Sequence, residues 1–553
     1  MKNQTFLSAL FSALLLSLLM ACSNDDNNNQ PIHAAKQIEF KLSFSDYNTE
    51  DSIEGTRAVS VPAKKEIIPM GNLFAEISVQ RDTTRAPKEE QKAMTRVLVN
   101  GKYRIYAYQG STQKGMMTGT MASNTFTPDG GLKGMSLMPG TYTFICVNEK
   151  VDVSGSLWTV SRENIETARM GITENVNIAA APKLQQVTFN MKHVGCRVRM
   201  RVSTEGYYTS ALTTTLASVN NIPQQATFNP ATRTFTYGNT AAYSQSIVPN
   251  SSPVPYQYFF PGTKISDLKY TLNSGTVYKL PVSGRYWTFP GQPTMTLNGA
   301  YVLNITLKYN YIYLYSDGTT GQYTDADFTS HTPVAMVVSR GKRLAIALKD
   351  ANMGTISWSD ALTKSQNTGN TTFNDYLNDF RGEDYTWSTT YSTDGLIKGN
   401  EQTKYPPFYI AAHYDPGVTL TGGIANAKWF LPSIGEWNLY FKNLMLSNDD
   451  LKDGGAGYLW RPDEYGFARG GGLPLGSIVS IGGDNAYYTF YVSSSEINFS
   501  SYYGMGRYRK EGASTASPGL YYNDNYLIPV LSLTKAGGVG PFTTYVVRAF
   551  IHY

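Results

Sequence analysis

The chain has 553 residues, of which only 16% are charged, and its formal net charge is +5. This charge is small for the length, and no block of basic residues is interleaved with aromatic ones, which argues against a nucleic-acid partner. Tyr (40 residues) and Gly (49 residues) are abundant, and this composition favours strands and turns over helices. The length is that of roughly three or four domains.

The N-terminus has the sequence features of an export signal. After Lys2, an apolar run from Phe6 to Ala21 is shorter than the ~20 residues of a membrane span and suits a signal peptide over 1–21. It ends at Leu19-Met20-Ala21-Cys22, which resembles a bacterial lipobox. That resemblance implies cleavage before Cys22 and acylation of this cysteine, and several acyl chains together give stable membrane anchoring.

Residues 22–35 are polar and form a predicted tether with nothing to bury. The pair Asp25-Asp26 just after Cys22 resembles the surface-export signal of lipoproteins in bacteria of the Bacteroides type. This resemblance implies a location on the outer face of the outer membrane. Cys146 and Cys196 remain after Cys22 is set aside. In an exported protein the sequence is compatible with a disulfide between them and with two buried free thiols.

The first strand signal is Ile38 to Phe44, which alternates strictly between apolar and polar residues. We expect Phe40, Leu42 and Phe44 to face a core. Short strand-like segments with turns between them then continue to residue 308, a pattern typical of β-sandwiches. We predict one sandwich over 36–182 and a second over 183–308. In the second, Arg197, Arg199 and Arg201 alternate with apolar residues and are predicted to form the solvent face of a strand.

These features together resemble the fimbrillins of type V pili. The resemblance covers about 20–308 and rests on the lipobox, the first strand, a loop with Thr56-Arg57-Ala58, the strand Tyr103 to Tyr108 and the two sandwiches. It implies transthyretin-like sandwiches, export as a lipoprotein and cleavage by an Arg-specific protease after the first strand. The groove left by that strand then accepts a strand from the next subunit. Backbone hydrogen bonds give such β-augmentation its strength, and alternating apolar side chains give it register.

Transferred to this sequence, the resemblance makes Phe40, Leu42 and Phe44 the plug strand that cleavage removes. Arg57 is the predicted cleavage site, with a propeptide over 22–57. Arg85 is the alternative site, because Thr84-Arg85-Ala86 repeats the same local pattern. A third alternative is that neither arginine is cut, which would suit an anchoring subunit that keeps its lipid.

The remaining residues, 309–553, show sequence patterns that differ from those of the two predicted sandwiches. The stretch Trp429 to Trp437 contains Ser433 three residues before Glu436, which is the pattern of a helix capping box. Apolar residues at helical spacing follow and predict one buried face; they are Ile434, Trp437, Tyr440, Phe441 and Leu444. We expect this stretch to build a core and to perform no chemistry.

Several segments of this region, in their order, resemble a bacterial C-type-lectin-like domain. They are Ala345 to Asp350, Trp358-Ser359, Trp429 to Glu436, Tyr491 to Glu496 and Val547 to Phe550. The resemblance covers about 310–553 and implies an α+β domain of the kind found at the ends of surface and fimbrial proteins. The sequence departs from the family at Val492, where a Trp is frequent. The fold class expected for the chain is therefore mainly β, with two consecutive sandwiches followed by an α+β domain at 309–553.

No catalytic constellation is recognisable. The five histidines are scattered, paired Cys spacing is absent, and Ser493-Ser494-Ser495-Glu496 has no His nearby, so we expect neither an enzyme nor a metal or other cofactor. The strongest candidate for binding is a run rich in Tyr and Arg, residue types that are enriched at protein interfaces. We predict a ligand surface on an exposed loop carrying Tyr502, Tyr503, Arg507 and Tyr508.

The sequence thus predicts a non-enzymatic tip or accessory subunit of a cell-surface fimbrium. Its partners would be other fimbrial subunits, the outer membrane through the lipid during export, and an unidentified ligand on host or bacterial cells. A bulky C-terminal domain suits the tip, because it is poorly placed to offer a C-terminal donor strand. The alternative is a lipid-anchored surface protein that binds glycan or protein and belongs to no pilus.

Overall fold

A computed structural model describes residues 36–48, 65–82, 100–123, 125–179, 184–204, 212–249, 254–354, 359, 366–370, 373–444, 459–460, 490–498, 501–509, 527–535 and 545–553. The architecture is mainly β. Single 3-10 turns occur at Asp129–Gly131, Arg162–Asn164, Ile265–Asp267, Phe328–Ser330, Lys398–Asn400 and Gly422–Ile424. No helix in these ranges is both long enough and apolar enough to cross a membrane.

The strands up to residue 193 are β1 (Lys36–Phe44), β2 (Glu66–Met70), β3 (Leu73–Arg81), β4 (Gly101–Gln109), β5 (Thr112–Ala122), β6 (Thr125–Pro128), β7 (Met135–Leu137), β8 (Gly140–Asn148), β9 (Trp158–Ser161), β10 (Arg169–Ile178) and β11 (Leu184–His193). The strands from there to residue 309 are β12 (Cys196–Thr204), β13 (Thr213–Ser218), β14 (Gln225–Asn229), β15 (Thr234–Gly238), β16 (Ser244–Ile247), β17 (Gln257–Phe259), β18 (Leu268–Ser274), β19 (Thr276–Val277), β20 (Leu280–Pro281), β21 (Tyr286–Thr288) and β22 (Ala300–Tyr309).

The C-terminal region mixes strands and short helices. Its elements are β23 (Ile312–Tyr315), β24 (Thr320–Gln322), β25 (Pro333–Ser339), β26 (Leu344–Ala347), β27 (Asn352–Gly354), α1 (Phe373–Leu377), α2 (Gly382–Trp387), α3 (Pro406–Ala412), β28 (Trp429–Phe430), α4 (Ile434–Asn443), β29 (Leu459–Trp460), β30 (Phe490–Asn498), β31 (Ser501–Arg509), β32 (Leu527–Lys535), β33 (Tyr545–Val547) and β34 (Phe550–His552).

The first sheet has eight strands in the order β6-β5-β4-β8-β10-β11-β1-β7. Strands from its two ends bury side chains in one shared core, for example Met117 of β5 and Met135 of β7, so the sheet curves around that core. Its other face is covered by the small sheet β15-β14-β9, where Trp158 packs on Tyr106 of β4 with ring centroids 4.6 Å apart. Burial on both faces explains the nearly continuous apolar sequence of β8.

The second unit is a sandwich of two sheets. The strand order is β17-β12-β22-β3-β2 in one sheet and β16-β13-β18-β21 in the other. Both contribute to a single core, which joins Ile77, Val198 and Ile305 of the first to Leu216 and Trp287 of the second. The core is the physical reason for the strict alternation in β12, which buries one face fully and leaves the other half-buried.

The sheets do not follow the predicted division at residues 182 and 183. β2 and β3 lie before that division, yet β3 pairs antiparallel with β22 from Leu73 to Arg81 and belongs to the second unit. β11 lies after it, yet β11 pairs with β1 and β10 in the first sheet. The chain therefore enters the second unit twice, at β2–β3 and at β12–β13, before β14 and β15 complete the small sheet that covers the first sheet. Alternation tells which face of a strand is buried, but it does not say which neighbour the strand pairs with.

The two thiols left open by the sequence are free and buried. Cys146 lies in the core of the first sheet and Cys196 in the core of the second unit. Each behaves as a small apolar side chain in its own core.

The described residues of the C-terminal region form two six-stranded sheets, with strand orders β24-β23-β25-β26-β34-β28 and β27-β33-β30-β31-β32-β29. The predicted capping box at Ser433 and Glu436 is present at the start of α4. Helix α4 buries Ile434, Trp437 and Tyr440 against Phe550 of the last strand. The stretch thus builds a core, as the helical spacing predicted. The Phe441 side chain lies outside the described residues.

Candidate functional site

The site begins with β1, which is held between strands that are remote in sequence. It pairs parallel with β11 over eight consecutive positions, from Gln37 opposite Leu184 to Phe44 opposite Met191. On its other edge, β7 pairs antiparallel with the first three residues of β1. Neither neighbour is joined to β1 by a hairpin, so backbone hydrogen bonds and side-chain packing alone hold the strand in the sheet.

The inward face of β1 is apolar along its whole length. Leu42 is buried, and Phe40 and Phe44 are half-buried against the same core. Phe40 contacts Phe144 edge to face, with ring centroids 5.6 Å apart. The deepest residue is Ile38, which is fully buried. Ile38 shares the alternation of Phe40, Leu42 and Phe44 but is not among the residues predicted to face the core.

Gly134 allows β1 to approach closely. A Cβ atom at this position would collide with the carbonyl oxygen of Ile38 and would lie 2.9 Å from its carbonyl carbon. Because both are backbone atoms of β1, a larger side chain at 134 can be accommodated only if the strand moves.

We expect Gly134→Ala to loosen β1 and to lower the free energy of its local opening by about 1–3 kcal/mol, the usual cost of overpacking. Hydrogen exchange of the β1 amides measures this change. The matched control is Gly238→Ala, since a Cβ at 238 meets nothing within 4 Å. Equal protection of β1 in both variants would contradict the expectation.

The segment after β1 crosses to the second unit. The amide of Ser45 donates to the carbonyl oxygen of Met191 (3.0 Å), and the amide of Asn48 donates to that of Asn298 (3.0 Å). The Tyr47 ring stacks on His193, with centroids 3.7 Å apart. Burial lowers the pKa of His193 well below its usual range, and nearby Arg169 and Arg197 lower it further. A neutral imidazole therefore faces the Tyr47 ring.

The structure corrects the expectation that Arg197 and Arg199 form a solvent face. The Arg197 guanidinium lies between two rings, 4.2 Å from the centroid of Tyr47 and 3.9 Å from that of Tyr256. The Arg199 side chain is only 12% exposed and pairs with Asp82, with Nε and Oδ2 2.7 Å apart. The alternation of β12 correctly predicted that this face is polar. It could not predict that the segment after β1 and the end of β3 cover the face.

The predicted lipidation and cleavage residues lie outside the described part of the chain, and the predicted ligand residues lie on a strand. Cys22, Arg57 and Arg85 are outside the described residues. Tyr502, Tyr503, Arg507 and Tyr508 lie on strand β31 and not on a loop. β31 pairs with β30 on one side and with β32 over all nine positions on the other. In that continuous register, positions 502 and 508 share one face of the sheet, and 503 and 507 share the opposite face.

The C-terminal region contains a cleft of about 260 Å³. Its walls bring together residues that are far apart in sequence: Glu383, Asp384, Trp387, Ser388, Asn426, Ala427, Lys428 and His552. Nδ1 of His552 lies 2.8 Å from Oε2 of Glu383, and Nζ of Lys428 lies 4.8 Å from the centroid of the Trp387 ring. Carboxylates and a lysine around an indole suit a small polar ligand. No local motif in the sequence pointed to this cleft.

The buried carboxylate behind the cleft belongs to the capping box. Glu436 accepts a hydrogen bond from the Ser433 amide (2.7 Å) and is fully buried. Burial raises the pKa of Glu436 to about 7, although the Ser433 hydrogen bond opposes this shift. Burial alone would lower the pKa of His552, but its hydrogen bond to Glu383, with Glu436 nearby, raises it.

These shifts predict that the C-terminal region is more stable at pH 5 than at pH 8. A carboxyl with a raised folded pKa binds its proton more tightly in the folded state, so stability falls as the pH rises from about 4.5 to about 7. His552 acts in the same direction, because its pKa is raised in the folded state. Protonation of His552 therefore stabilises the fold at low pH, and this stabilisation is lost as the pH rises through the folded pKa. The loss due to Glu436 is roughly 3 kcal/mol.

Hydrogen exchange of α4 at the two pH values, corrected for intrinsic rates, measures this difference. Glu436→Gln should remove most of it, whereas Glu401→Gln, at a half-buried site in the same region, should not. A pH dependence that survives unchanged in Glu436→Gln would contradict the assignment.

The serine triplet Ser493 to Ser495 supports the same turn. Its side chains are buried. The Ser495 hydroxyl accepts from the amide of Ile434 (3.0 Å), and the amide of Ser494 donates to the carbonyl oxygen of Pro432 (2.8 Å). These serines therefore satisfy backbone groups at the start of α4, which is a structural role.

Neither a protein-family model nor a curated protein matches the sequence. Solved structures similar to the chain include a fimbrial protein from Bacteroides ovatus, with 11% identity, 94% of this chain and 100% of that chain covered, and a TM-score of 0.24. A fimbrial assembly protein from Parabacteroides distasonis has 10% identity, 47% and 99% coverage, and a TM-score of 0.24. A fimbrial protein from Bacteroides vulgatus has 10% identity, 43% and 98% coverage, and a TM-score of 0.25. TM-scores this low carry no functional assignment.

Proposed function

We propose that this chain is a non-enzymatic tip or accessory subunit of a cell-surface fimbrium. It is exported as a lipoprotein acylated at Cys22, processed at Arg57, and assembled by exchange of β1 for a strand of a neighbouring subunit. Its C-terminal region, residues 309–553, carries adhesion to a ligand on host or bacterial cells.

The observation that carries the proposal is the position of β1. This strand precedes Arg57 in the chain, is joined by a hairpin to neither β7 nor β11, and fills a place between these two strands with an apolar inward face. Its removal would leave two strand edges with unpaired backbone groups next to an open core. Such edges are templates for an added strand.

The pairing of β3 supports Arg57 over Arg85 as the processing site. Removal of everything before Arg85 would extract β2 and β3, and β3 pairs with β22 on one side and with β2 on the other. It would also take Leu73 and Ile77 out of the core of the second unit. Removal of everything before Ala58 takes β1 and leaves that core intact.

The test is the N-terminus of the protein on purified fibres. A start at Ala58, abolished by Arg57→Ala and unchanged by the control Arg85→Ala, is the expected result. A start at Ala86 would move the site to the alternative arginine. An acylated Cys22 in every copy, without association with fibres, would overturn the proposal in favour of a lipid-anchored surface protein that binds glycan or protein.

The adhesive surface is tested separately from assembly. The proposed ligand surface consists of Tyr502, Tyr503, Arg507 and Tyr508, whose positions lie on two faces of a sheet. Paired substitutions separate these faces: Tyr502→Ala with Tyr508→Ala on one, and Tyr503→Ala with Arg507→Ala on the other. Loss of cell binding in one pair only, with fibre incorporation retained, is expected. Full binding in both pairs would remove this surface from the proposal.

A further inference from the structure

The end of the β1 segment makes a second attachment, away from the groove that β1 fills. Tyr47 and Asn48 lie beyond the strand. Tyr47 contacts His193 of β11 and Arg197 of β12, and Asn48 contacts the second unit at the adjoining ends of β3 and β22. The groove strand and this attachment are different in kind. The first is a ladder with apolar side chains, and the second is a polar contact of two specific side chains.

The Asn48 side chain closes the end of the β3–β22 ladder. Its Nδ2 donates to the carbonyl oxygens of Asp82 (3.1 Å) and Ala300 (3.0 Å). Its Oδ1 accepts from the amide of Ala300 (2.8 Å) and from Nη1 of Arg81 (3.2 Å). The contact therefore uses both the donor and the acceptor of a carboxamide. A carboxylate would place negative charge against two carbonyl oxygens.

The backbone at this position imposes a separate requirement. Asn48 has φ +61°, a left-handed conformation that non-glycine residues other than Asn and Asp rarely adopt. Gly would meet the backbone requirement but would leave the backbone groups of Asp82 and Ala300 without their carboxamide partners. Gln would offer the carboxamide but suits neither the conformation nor the distance. Asn alone meets both requirements.

The preceding residue requires a flat ring. Tyr47 lies in a stack with His193 on one side and the guanidinium of Arg197 on the other, and Arg197 in turn lies on Tyr256. The Tyr47 hydroxyl is buried and meets no hydrogen-bond partner among the described residues. The stack therefore selects an aromatic face, and a Phe would serve as well as a Tyr.

We infer that the strand which replaces β1 comes from a neighbouring subunit and carries an aromatic residue followed by Asn, in the spacing that Phe44, Tyr47 and Asn48 show here. Its alternating apolar face fills the groove, and the aromatic–Asn pair locks the junction between the two units. This inference rests on the proposed strand exchange and adds a specificity determinant to it. A donor strand that offers only an apolar face leaves the backbone groups of Ala300 without a carboxamide partner. It also leaves the Arg197 guanidinium in contact with the Tyr256 ring only, without the second ring that Tyr47 supplies.

The test uses the whole chain, with a site for a sequence-specific protease placed within residues 49–64. After cutting, the bound N-terminal fragment is exchanged for a labelled peptide of residues 36–49, and the dissociation constant is measured. Variant peptides carry Asn48→Asp, Asn48→Gln, Asn48→Gly, Tyr47→Ala or Tyr47→Phe, and one peptide ends at Ser45. A Leu42→Asp peptide is the control for binding in the groove.

We expect the native and Tyr47→Phe peptides to bind equally. The three Asn48 variants and the shortened peptide should bind roughly 10- to 100-fold more weakly, since several hydrogen bonds are lost together. Tyr47→Ala should also bind more weakly, because it removes the ring that stacks on His193 and Arg197. Equal affinity of the shortened and native peptides would overturn the inference and leave strand exchange standing. If the native peptide binds no better than Leu42→Asp, the groove does not exchange its strand, and the proposed assembly itself fails.

Discussion

Ile38→Asp should detach β1 from the first sheet while the second unit stays folded. Ile38 is fully buried in the core of the first sheet, and it is one of the two β1 residues paired on both sides, with Met135 and Gln185. A carboxylate there has no partner, and burial of an unpaired charge is among the few changes that cost more than about 3 kcal/mol. The strand should therefore open locally before the sheet unfolds.

Hydrogen exchange resolves this opening strand by strand. The amides of β1 and those of β7 and β11 facing it should lose protection, whereas β3 and β22 should keep theirs. The matched control is Lys41→Asp, which places the same carboxylate on the exposed face of the same strand. Equal loss in both variants, or loss that extends to β22, would show that β1 is not an independently removable element.

Arg548→Met should destabilise the C-terminal region by about 3–5 kcal/mol. Nε of Arg548 lies 3.2 Å from Oδ1 of Asp350, and the two side chains are 1% and 2% exposed. Arg548 also donates to the carbonyl oxygen of Leu348. Removal of one member of a buried ion pair leaves the other charge buried without its counter-charge, and this is much more costly than removal of both.

A double-mutant cycle tests the pairing. Asp350→Asn should recover a large part of the loss when it is combined with Arg548→Met, and denaturant unfolding of the full chain, followed by exchange at β26 and β34, measures each step. Arg340→Met, at an exposed position, is the control for loss of a positive charge. Additive effects of the two substitutions would contradict a direct interaction.

The sequence predicted individual elements well where their signal is local. The capping box of Ser433 and Glu436 needs only a spacing of three, and the buried face of α4 needs only a helical period. The inward side of β1 likewise follows from alternation, because successive side chains in a strand point to opposite faces. The same property let the sequence find a polar face at Arg197 and Arg199, although not what covers it.

Only the tertiary structure decided which residues and strands these elements contact. Tyr502, Tyr503, Arg507 and Tyr508 were predicted to lie on an exposed loop, and only pairing with β30 and β32 makes a strand of that stretch. The pair Asp350–Arg548 joins two segments that the sequence had marked separately. The cleft between Glu383 and His552 joins residues with no common pattern at all.

By itself, the sequence determined the mainly β class, the alternating β1 and the capped helix α4, since each depends on side-chain type at short spacing. Only the tertiary structure decided that β2 and β3 belong to the second unit, that β1 lies between β7 and β11, and that Tyr47 and Asn48 join the two units. The physical reason is that strand pairing uses backbone groups, which every residue except proline supplies alike. Neighbours in a sheet are therefore chosen by the sum of packing over the whole core.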